Sequence, residues 1–354
     1  MSPTERTPAG FVLVDKPAGW TSHDVVARLR RRLGQRKIGH AGTLDPMATG
    51  LLICAVGRAT RLLSWFSGLD KTYWAKARFG VGTLSDDAEG EVTECPGAAG
   101  LSLAELERAA GGLRGDIEQT PSAVSAVKVA GQRAYALVRA GQTPDLRPRP
   151  VHIAQLDLGP ARPGLWWPTA EADPSKERPE AVDDRPGLPV LDVELTVRGS
   201  TGTYVRALAR DLGRLVGRPA HLIGLRRLAC GPFNLDEADL DGAGLAGGAA
   251  LAVRPMAPTL ARLLPMESVS DELARRVGYG QAIELDLSGP TGLVDQSGRL
   301  LAVYAPADGL AKAQVVLVGG SIDSCESQHF NRLTHERERS TFASIVSSDG
   351  KEPG

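Results

Sequence analysis

The chain has 354 residues, 42% of them hydrophobic and 23% charged, with 41 basic and 42 acidic side chains and a formal net charge of -1. That length accommodates two domains and a core that needs no disulfide or metal support, and the balance excludes collagen-like, coiled-coil and wholly disordered chains. A near-neutral total neither favours nor excludes a nucleic-acid partner, so the distribution of charge has to decide.

The N-terminal segment Met1–Gly10 is polar and contains proline, with no apolar signal core. The clean apolar run Leu51–Val56 is far shorter than the roughly 20 residues of a spanning helix. A cytoplasmic protein with no membrane attachment is therefore expected. Cys54, Cys95, Cys230 and Cys325 are scattered with no C-x-x-C pair, which predicts free thiols.

Phe11–Val14 is a short apolar run that predicts a strand, closed by the turn residues Asp15–Gly19. Thr21 and Asp24 have capping-box spacing. Val25, Val26, Leu29 and Leu33 then share one helical face, with Gly34 as the stop signal. The arginines of that helix lie mainly off the apolar face and should be exposed. Lys71–Phe79 alternates, placing Tyr73, Ala75, Ala77 and Phe79 on one side of a strand. Ser102 and Glu105 form a second capping box, before a helix ending near Gly111-Gly112. Strands are predicted at Ala123–Val129, Val151–Leu158 and Val190–Val197, and helices at Gln132–Ala140 and Tyr204–Val216. No regular βαβ repeat is visible, which favours an α+β fold.

Residues 162–189 are rich in proline and acids and predict a polar surface insertion between two strands. The Gly/Ala-rich stretch between Asp236 and Met256 is the expected domain junction. A helix at Asp271–Val277 and several short strands within Met266–Val318 describe a small β-rich domain. Residues 321–354 have the composition of a disordered tail.

Two runs concentrate positive charge. Arg28–Lys37 carries six cations in ten residues and no acid. Arg206–Arg227 carries six arginines against one acid, Asp211. Both suit phosphates, and binding through them should weaken as salt rises. His23, His40, His152, His221, His329 and His335 lack metal-motif spacing, and there is no phosphate loop or dinucleotide fingerprint.

The densest run of unusual residues is His40-Ala41-Gly42-Thr43-Leu44-Asp45-Pro46-Met47-Ala48-Thr49-Gly50. Its glycines, proline and aspartate predict a tight loop outside regular structure. Asp45 either caps a turn before Pro46 or presents a single carboxylate at the floor of a pocket.

That run, continued by Leu51-Leu52, resembles the catalytic motif of the TruB family of bacterial tRNA pseudouridine synthases. Asp15-Lys16-Pro17-Ala18-Gly19-Trp20-Thr21-Ser22 is similar to the family's N-terminal segment. Further matches follow in chain order at Lys71-Thr72-Tyr73, Asp86–Gly90, Gln119–Lys128, Gly202–Arg206 and Leu225–Leu228. Together they cover roughly residues 10–235. Ser122 stands where the family pattern has a second proline, and the region after residue 256 is shorter than a full PUA domain.

The resemblance implies an α+β pseudouridine synthase fold, with a mixed, largely antiparallel sheet, flanking helices and a central cleft. It implies a flexible segment at 1–9, a catalytic domain at 10–240 and a small PUA-like RNA-binding domain at 256–320. The implied activity isomerises the T-loop uridine at position 55 of tRNA. The enzyme flips the base out, breaks the N1–C1′ bond, turns the base and rejoins it through C5. Asp45 matches the essential aspartate, as nucleophile at C1′ or as base at C2′. A carboxylate is ionised at neutral pH, as either role needs. Arg206 matches its arginine partner, and Tyr73 the tyrosine that stacks on the target base and helps remove the C5 proton. His40 matches the histidine that supports the flipped-out nucleotide. Leu225 would line the apolar wall, Tyr204 pack under the pocket and Lys16 support the loop from a distance. The chemistry implied needs no cofactor and no metal. The implied partner is tRNA, through its T-arm and acceptor stem, with the protein a monomer without an obligate protein partner. Two other readings share these residues: a guide-RNA-dependent synthase of ribosomal RNA, and a tRNA-folding helper whose catalysis is secondary.

Overall fold

The computed structural model describes residues 9–124, 128–129, 132–133, 145–167, 187–247 and 251–318. The expected N-terminal segment (up to residue 8) and the expected tail lie outside the described residues, as do 168–186 of the insertion and most of the predicted helix Gln132–Ala140. Among the described residues, ten strands form one sheet, four form a second, and two pairs stand apart.

In chain order the strands are β1 (Gly10–Lys16), β2 (Ile38–Ala41), β3 (Thr49–Val56), β4 (Lys71–Phe79), β5 (Gly82–Thr83), β6 (Val92–Glu94), β7 (Gly115–Gln119), β8 (Lys128–Val129) and β9 (Gln132–Arg133). There follow β10 (Arg149–Trp166), β11 (Leu188–Gly199), β12 (Ala220–Cys230), β13 (Phe233–Asn234), β14 (Arg254–Pro255), β15 (Met266–Ser268), β16 (Thr291–Val294), β17 (Leu300–Ala307) and β18 (Leu310–Val316). The large sheet runs β14-β1-β3-β12-β4-β11-β10-β7, with β2 beside β3 and β13 beside β12. Its pairings are antiparallel except β3 with β12. That one parallel contact, Arg226 opposite Thr49 and Arg227 opposite Gly50, sets the start of β3 beside the middle of β12.

The large sheet is covered on both faces, which explains the unbroken apolar run in β3. Leu52, Cys54 and Val56 join one core with Tyr73, Ala75, Ala77 and Phe79 of β4. Leu51, Ile53 and Ala55 point the other way, into a core with Phe11, Leu13, Phe66 and Phe233. A strand buried on both sides has no reason to alternate. The first core also takes the apolar faces of helices α1 (Ser22–Arg32), α3 (Leu103–Ala110) and α4 (Val205–Leu215), whereas α2 (Leu63–Ser67) supplies Phe66 to the second. Both predicted capping boxes are made: Thr21 with Asp24 opens α1, and Ser102 with Glu105 opens α3.

The small sheet, β15-β16-β17-β18, does not stand clear of the large one. Val294, Leu300, Val303, Val315 and Leu317 belong to the second core. Arg58 Nη1 donates to the Leu317 carbonyl at 3.1 Å, and Arg61 donates to that of Val316. The predicted helix near 271 is Asp271–Gly278.

Three expectations are corrected. The proline-rich segment was to leave the sheet at Arg162, but the β10–β11 ladder continues to Trp166 opposite Leu188. Trp166 packs there on Val81 and Val190, and this apolar contact holds the prolines in register. The Gly/Ala-rich stretch is not a free junction. Its backbone edges the large sheet, with Asp239 N donating to Leu13 O at 2.7 Å and Asp15 N to Leu240 O at 2.8 Å. β14 then pairs with β1. Finally, the His40–Gly50 run is irregular only between β2 and β3, because His40 and Ala41 end one strand and Thr49 and Gly50 begin the next.

Among the described residues no helix is long and apolar enough to cross a membrane. Gly50 has φ +102°, and a Cβ there would sit 2.3 Å from the Arg227 carbonyl oxygen. Gly50→Ala should therefore destabilise the fold by about 3 kcal/mol, from backbone strain and overpacking together. The measurement is the shift in urea midpoint at unchanged slope.

Candidate active site

The loop between β2 and β3 is hung from buried side chains on three sides. From β1, Lys16 is fully buried and its Nζ donates to the carbonyls of Pro17 (2.9 Å), Trp20 (2.6 Å) and Pro46 (3.2 Å). From the first turn of α1, Ser22 Oγ accepts from Leu44 N at 2.9 Å and donates to Leu44 O at 3.3 Å. From β12, Arg227 Nε donates to Leu51 O at 2.6 Å and Nη2 to Gly42 O at 3.0 Å. Beside it Arg226 grips both oxygens of Asp15, at 3.1 and 2.6 Å, and Thr49 Oγ1 at 3.1 Å. The carbonyls of Gly42, Leu44 and Pro46 are thereby satisfied internally, and Asp45 stays partly exposed.

Asp45 meets Arg206, on the first turn of α4, at 3.0 Å between Oδ2 and Nε. The arginine is 6% exposed and the aspartate 36%, so the carboxylate is the more accessible of the pair. A guanidinium buried so deeply needs every donor directed. Nη1 of Arg206 lies 3.1 Å from Asp87 Oδ2 and donates to the carbonyls of Ser85 (2.7 Å) and Val124 (2.9 Å). Asp87 is aimed by its own turn. Its Oδ1 accepts from Ser85 Oγ and Glu89 N, and Asp86 adopts φ +58°. Gly90 closes that turn, where a Cβ would lie 2.2 Å from Ser85 Oγ. One helical turn along α4, Arg210 pairs with Asp86 at 3.0 Å and donates to Thr120 O at 2.7 Å.

Asp45 and Arg206 open into a cleft of about 730 Å³, lined also by His40, Tyr73, Tyr204 and Leu225. β4 and β12 place two of these: Tyr73 sits opposite Arg227, and Leu225 opposite Ala75. Burial raises the Tyr73 pKa, against a smaller opposing pull from the Arg227 guanidinium, so the phenol is protonated at neutral pH. Burial, helped by the charges of His23 and Arg227, takes the His40 imidazole down to about 4. His40 is thus neutral at pH 7, and its buried Nδ1 has no partner among the described residues. Tyr204 is the N-cap residue of α4, and its backbone is held by Gln119 in both directions, at 2.8 and 3.1 Å. Among the described residues there is no group of three or more His, Cys, Asp or Glu side chains placed to hold a metal ion.

Six of the seven sequence candidates therefore share one cleft. Lys16 is outside the cleft: it is fully buried behind the loop and holds it by direct contact at the Pro46 carbonyl, not from a distance. The sequence reading assigned no role to Asp87, Arg227, Ser22 or Gln119. Each lies in a run that matched the family, and runs of that kind carried the usable signal. The second arginine run is also corrected. Arg206, Arg210 and Arg227 turn inward to carboxylates and carbonyls and do not form a phosphate-facing patch.

Burial lowers the Lys16 pKa to about 8, against smaller raising contributions from Asp45 and Glu89. Below about 8 the ammonium supplies three donors to three carbonyls. Above that pH the neutral amine supplies two and the loop loses a tether. The stability linkage has the opposite sense: between about 8 and 10.5 the unfolded chain holds more protons, so this group's contribution to stability rises with pH. Lysine side-chain NMR should show one midpoint near 8, absent in Lys16→Met.

A family model described as TruB family pseudouridylate synthase (N terminal domain) matches residues 30–168. The tRNA pseudouridine synthase B of Arthrobacter sp. (strain FB24) is 42% identical over 319 residues, covering 87% of this chain and 96% of that protein. Its counterpart from Thermobifida fusca (strain YX) is 43% identical over 312 residues, covering 88% and 99%. Among solved structures, the archaeal box H/ACA sRNP Nop10–Cbf5 complex aligns with a TM-score of 0.57 at 21% identity, covering 88% of this chain and 87% of that one. A Cbf5–Nop10–Gar1 complex aligns with a TM-score of 0.58 at 22% identity, covering 88% and 85%. At those identities the likeness concerns the α+β fold alone. The sequence identity, sustained along nearly the whole of relatives that bear one name, is of another order, and by it this chain belongs to the TruB family of pseudouridylate synthases.

Proposed function

We propose that this chain converts a uridine of tRNA, the T-loop uridine at position 55, to pseudouridine. The observation that carries the reading is the pairing of a reachable carboxylate, Asp45, with a buried guanidinium in a cleft that also presents Tyr73 and Leu225. The relatives named tRNA pseudouridine synthase B support the substrate class.

A uridine inside a folded loop has to leave its stack to reach such a cleft. Extrusion costs a few kcal/mol, offset by stacking and by contacts to the backbone. The flipped base lies between the Tyr73 ring and the Leu225 side chain, which suit a flat, partly apolar group. Its ribose then faces Asp45. The carboxylate acts on the sugar, and the N1–C1′ bond breaks. The base turns, C5 bonds to C1′, the C5 proton leaves and N1 takes up a proton. Nothing is oxidised or reduced, and no water is consumed. Arg206 keeps Asp45 charged and fixes its direction through the reaction. A neutral His40, with an unused ring nitrogen, suits the space a base vacates better than a cation would. The C-terminal sheet is the PUA-like RNA-binding unit of this reading, and the enzyme acts as a monomer without an obligate protein partner.

Purified protein incubated with an unmodified T-arm RNA tritiated at uridine C5 should release tritium, and Asp45→Asn should release none. Retained binding without release by the unaltered protein would refute the stand-alone enzyme. It would favour a guide-dependent form or a folding helper.

A further inference from the structure

Several arginines of this fold are neutralised where they stand. Arg78 meets Asp192, Arg206 meets Asp45 and Asp87, Arg210 meets Asp86 and Asp211, and Arg226 meets Asp15. Arg254 and Arg262 meet Glu237. The first basic run is built differently. Arg28 stacks on Trp20, 3.8 Å from the ring centre, and Arg32 donates to the Gly244 carbonyl. Arg30, Arg31, Arg36 and Lys37 are exposed, and none has an acidic partner among the described residues. Among the described residues the side-chain hydrogen bond made by these four is Arg30 Nη2 to the Ile38 carbonyl, at 3.1 Å, which aims the side chain without neutralising it. The lone acid of α1, Asp24, is engaged by Thr21 at the opposite end of the helix.

This stripe also has a direction. His23, on the exposed side of α1, makes an edge-to-face ring contact with His40 at 5.7 Å. His40 lines the active-site cleft. The exposed positions 23, 27, 30 and 31 then follow one another along the helix at i, i+4, i+7 and i+8, over about 12 Å, a little more than two turns. Beyond Gly34 the turn adds Arg36 and Lys37. A row of four cations without acidic partners among the described residues thus lies on the element that reaches the cleft wall through His23, starting about 10 Å along the helix from that contact.

We infer that Arg30, Arg31, Arg36 and Lys37 form a track for the RNA backbone, engaging phosphates on the stem that leads to the extruded nucleotide. The inference rests on the RNA-modifying reading of the cleft. The occupant is a polyanion because the stripe offers charge without an apolar patch: besides the cations, the one exposed residue between Arg30 and Lys37 is Gly34. Continuity with the cleft makes that polyanion the substrate itself. These contacts position the RNA and take no part in the bond changes, so they act on binding and leave the chemical step alone.

The test uses the full chain carrying Arg30→Gln, Arg31→Gln, Arg36→Gln and Lys37→Gln together, with T-arm RNA as the probe. The slope of log affinity against log salt should flatten by about 0.7 to 0.9 per lost contact, hence by about 3 for the set. KM for tritium release should rise by about tenfold or more at low salt, with kcat at saturating RNA unchanged. An Arg30→Lys, Arg31→Lys, Arg36→Lys variant should restore the slope, since phosphates need the charge more than the fork. An unaltered slope in a glutamine variant that melts like the parent would overturn the inference, even with tritium release intact. Loss of slope in a protein whose parent releases no tritium would instead leave the track standing and overturn the isomerase. A slope lost with the glutamine set and not recovered with lysines would mean the region acts through its shape, and would also overturn the track.

Discussion

One guanidinium, buried between two carboxylates, sets the terms for the rest of the site. Arg206 cannot be desolvated without full pairing, because an unpaired charge in that position would cost several kcal/mol. Asp45 alone does not suffice, since it must stay open to substrate. The fold therefore supplies Asp87 as a second, closed carboxylate, which shares the two N–H groups of Nη1 with the carbonyls of Ser85 and Val124. This division separates two demands that a single pair could not meet. Asp87 makes the arginine tolerable, and the arginine then orients an aspartate that remains reachable. The nearby Glu89 bears the electrostatic consequence: burial, Asp87 and Asp45 all raise its pKa.

The same constraint explains the care taken over the loop that carries Asp45. A carboxylate 36% exposed on an unsupported loop would wander by more than a hydrogen-bond length. Here each anchor comes from a different element: Lys16 from β1, Ser22 from α1 and Arg227 from β12. The lone parallel pairing in the large sheet brings the last of them into place, because Arg227 reaches Gly42 only if β12 runs beside the start of β3. Gly50 is the point where that approach is closest. Fold and site are therefore coupled through backbone as much as through side chains.

What was legible in the sequence was whatever local rules decide. The alternation of Lys71–Phe79 marked β4 to the residue, and two capping boxes marked the starts of α1 and α3. The seven candidate residues were legible only through resemblance: Asp45 and Arg206 are 161 positions apart, and no period links them. Asp87 was harder still. Its turn depends on Asp86 accepting a left-handed backbone and on Gly90 lacking a Cβ, neither of which a pattern search weighs. The two misplaced boundaries share a cause. The ladder past Arg162 and the edge formed by Asp239 and Leu240 are held through backbone atoms by partners away along the chain, Leu188–Leu191 and Leu13, which composition does not record.

The two arginine runs show how far such non-local partners can reverse a local reading. Both hold six cations, against no acid in the first and one in the second. On α4, Arg206, Arg210 and Arg214 fall at four-residue intervals along one face, and their exposure climbs from 6% through 14% to 69% as the helix leaves the site. The first two are absorbed because the Asp86-Asp87 turn and the Asp45 loop, both distant in sequence, converge on that end of the helix. Among the described residues no acidic segment converges on the exposed face of α1, so the charge stays outside. The sign of a run thus tells little about its role until the acids that could meet it are placed. In this fold they are placed so that the cations nearest the reacting carboxylate organise it, while Arg30 and Arg31 on the neighbouring helix meet no acid among the described residues and keep their charge at the surface.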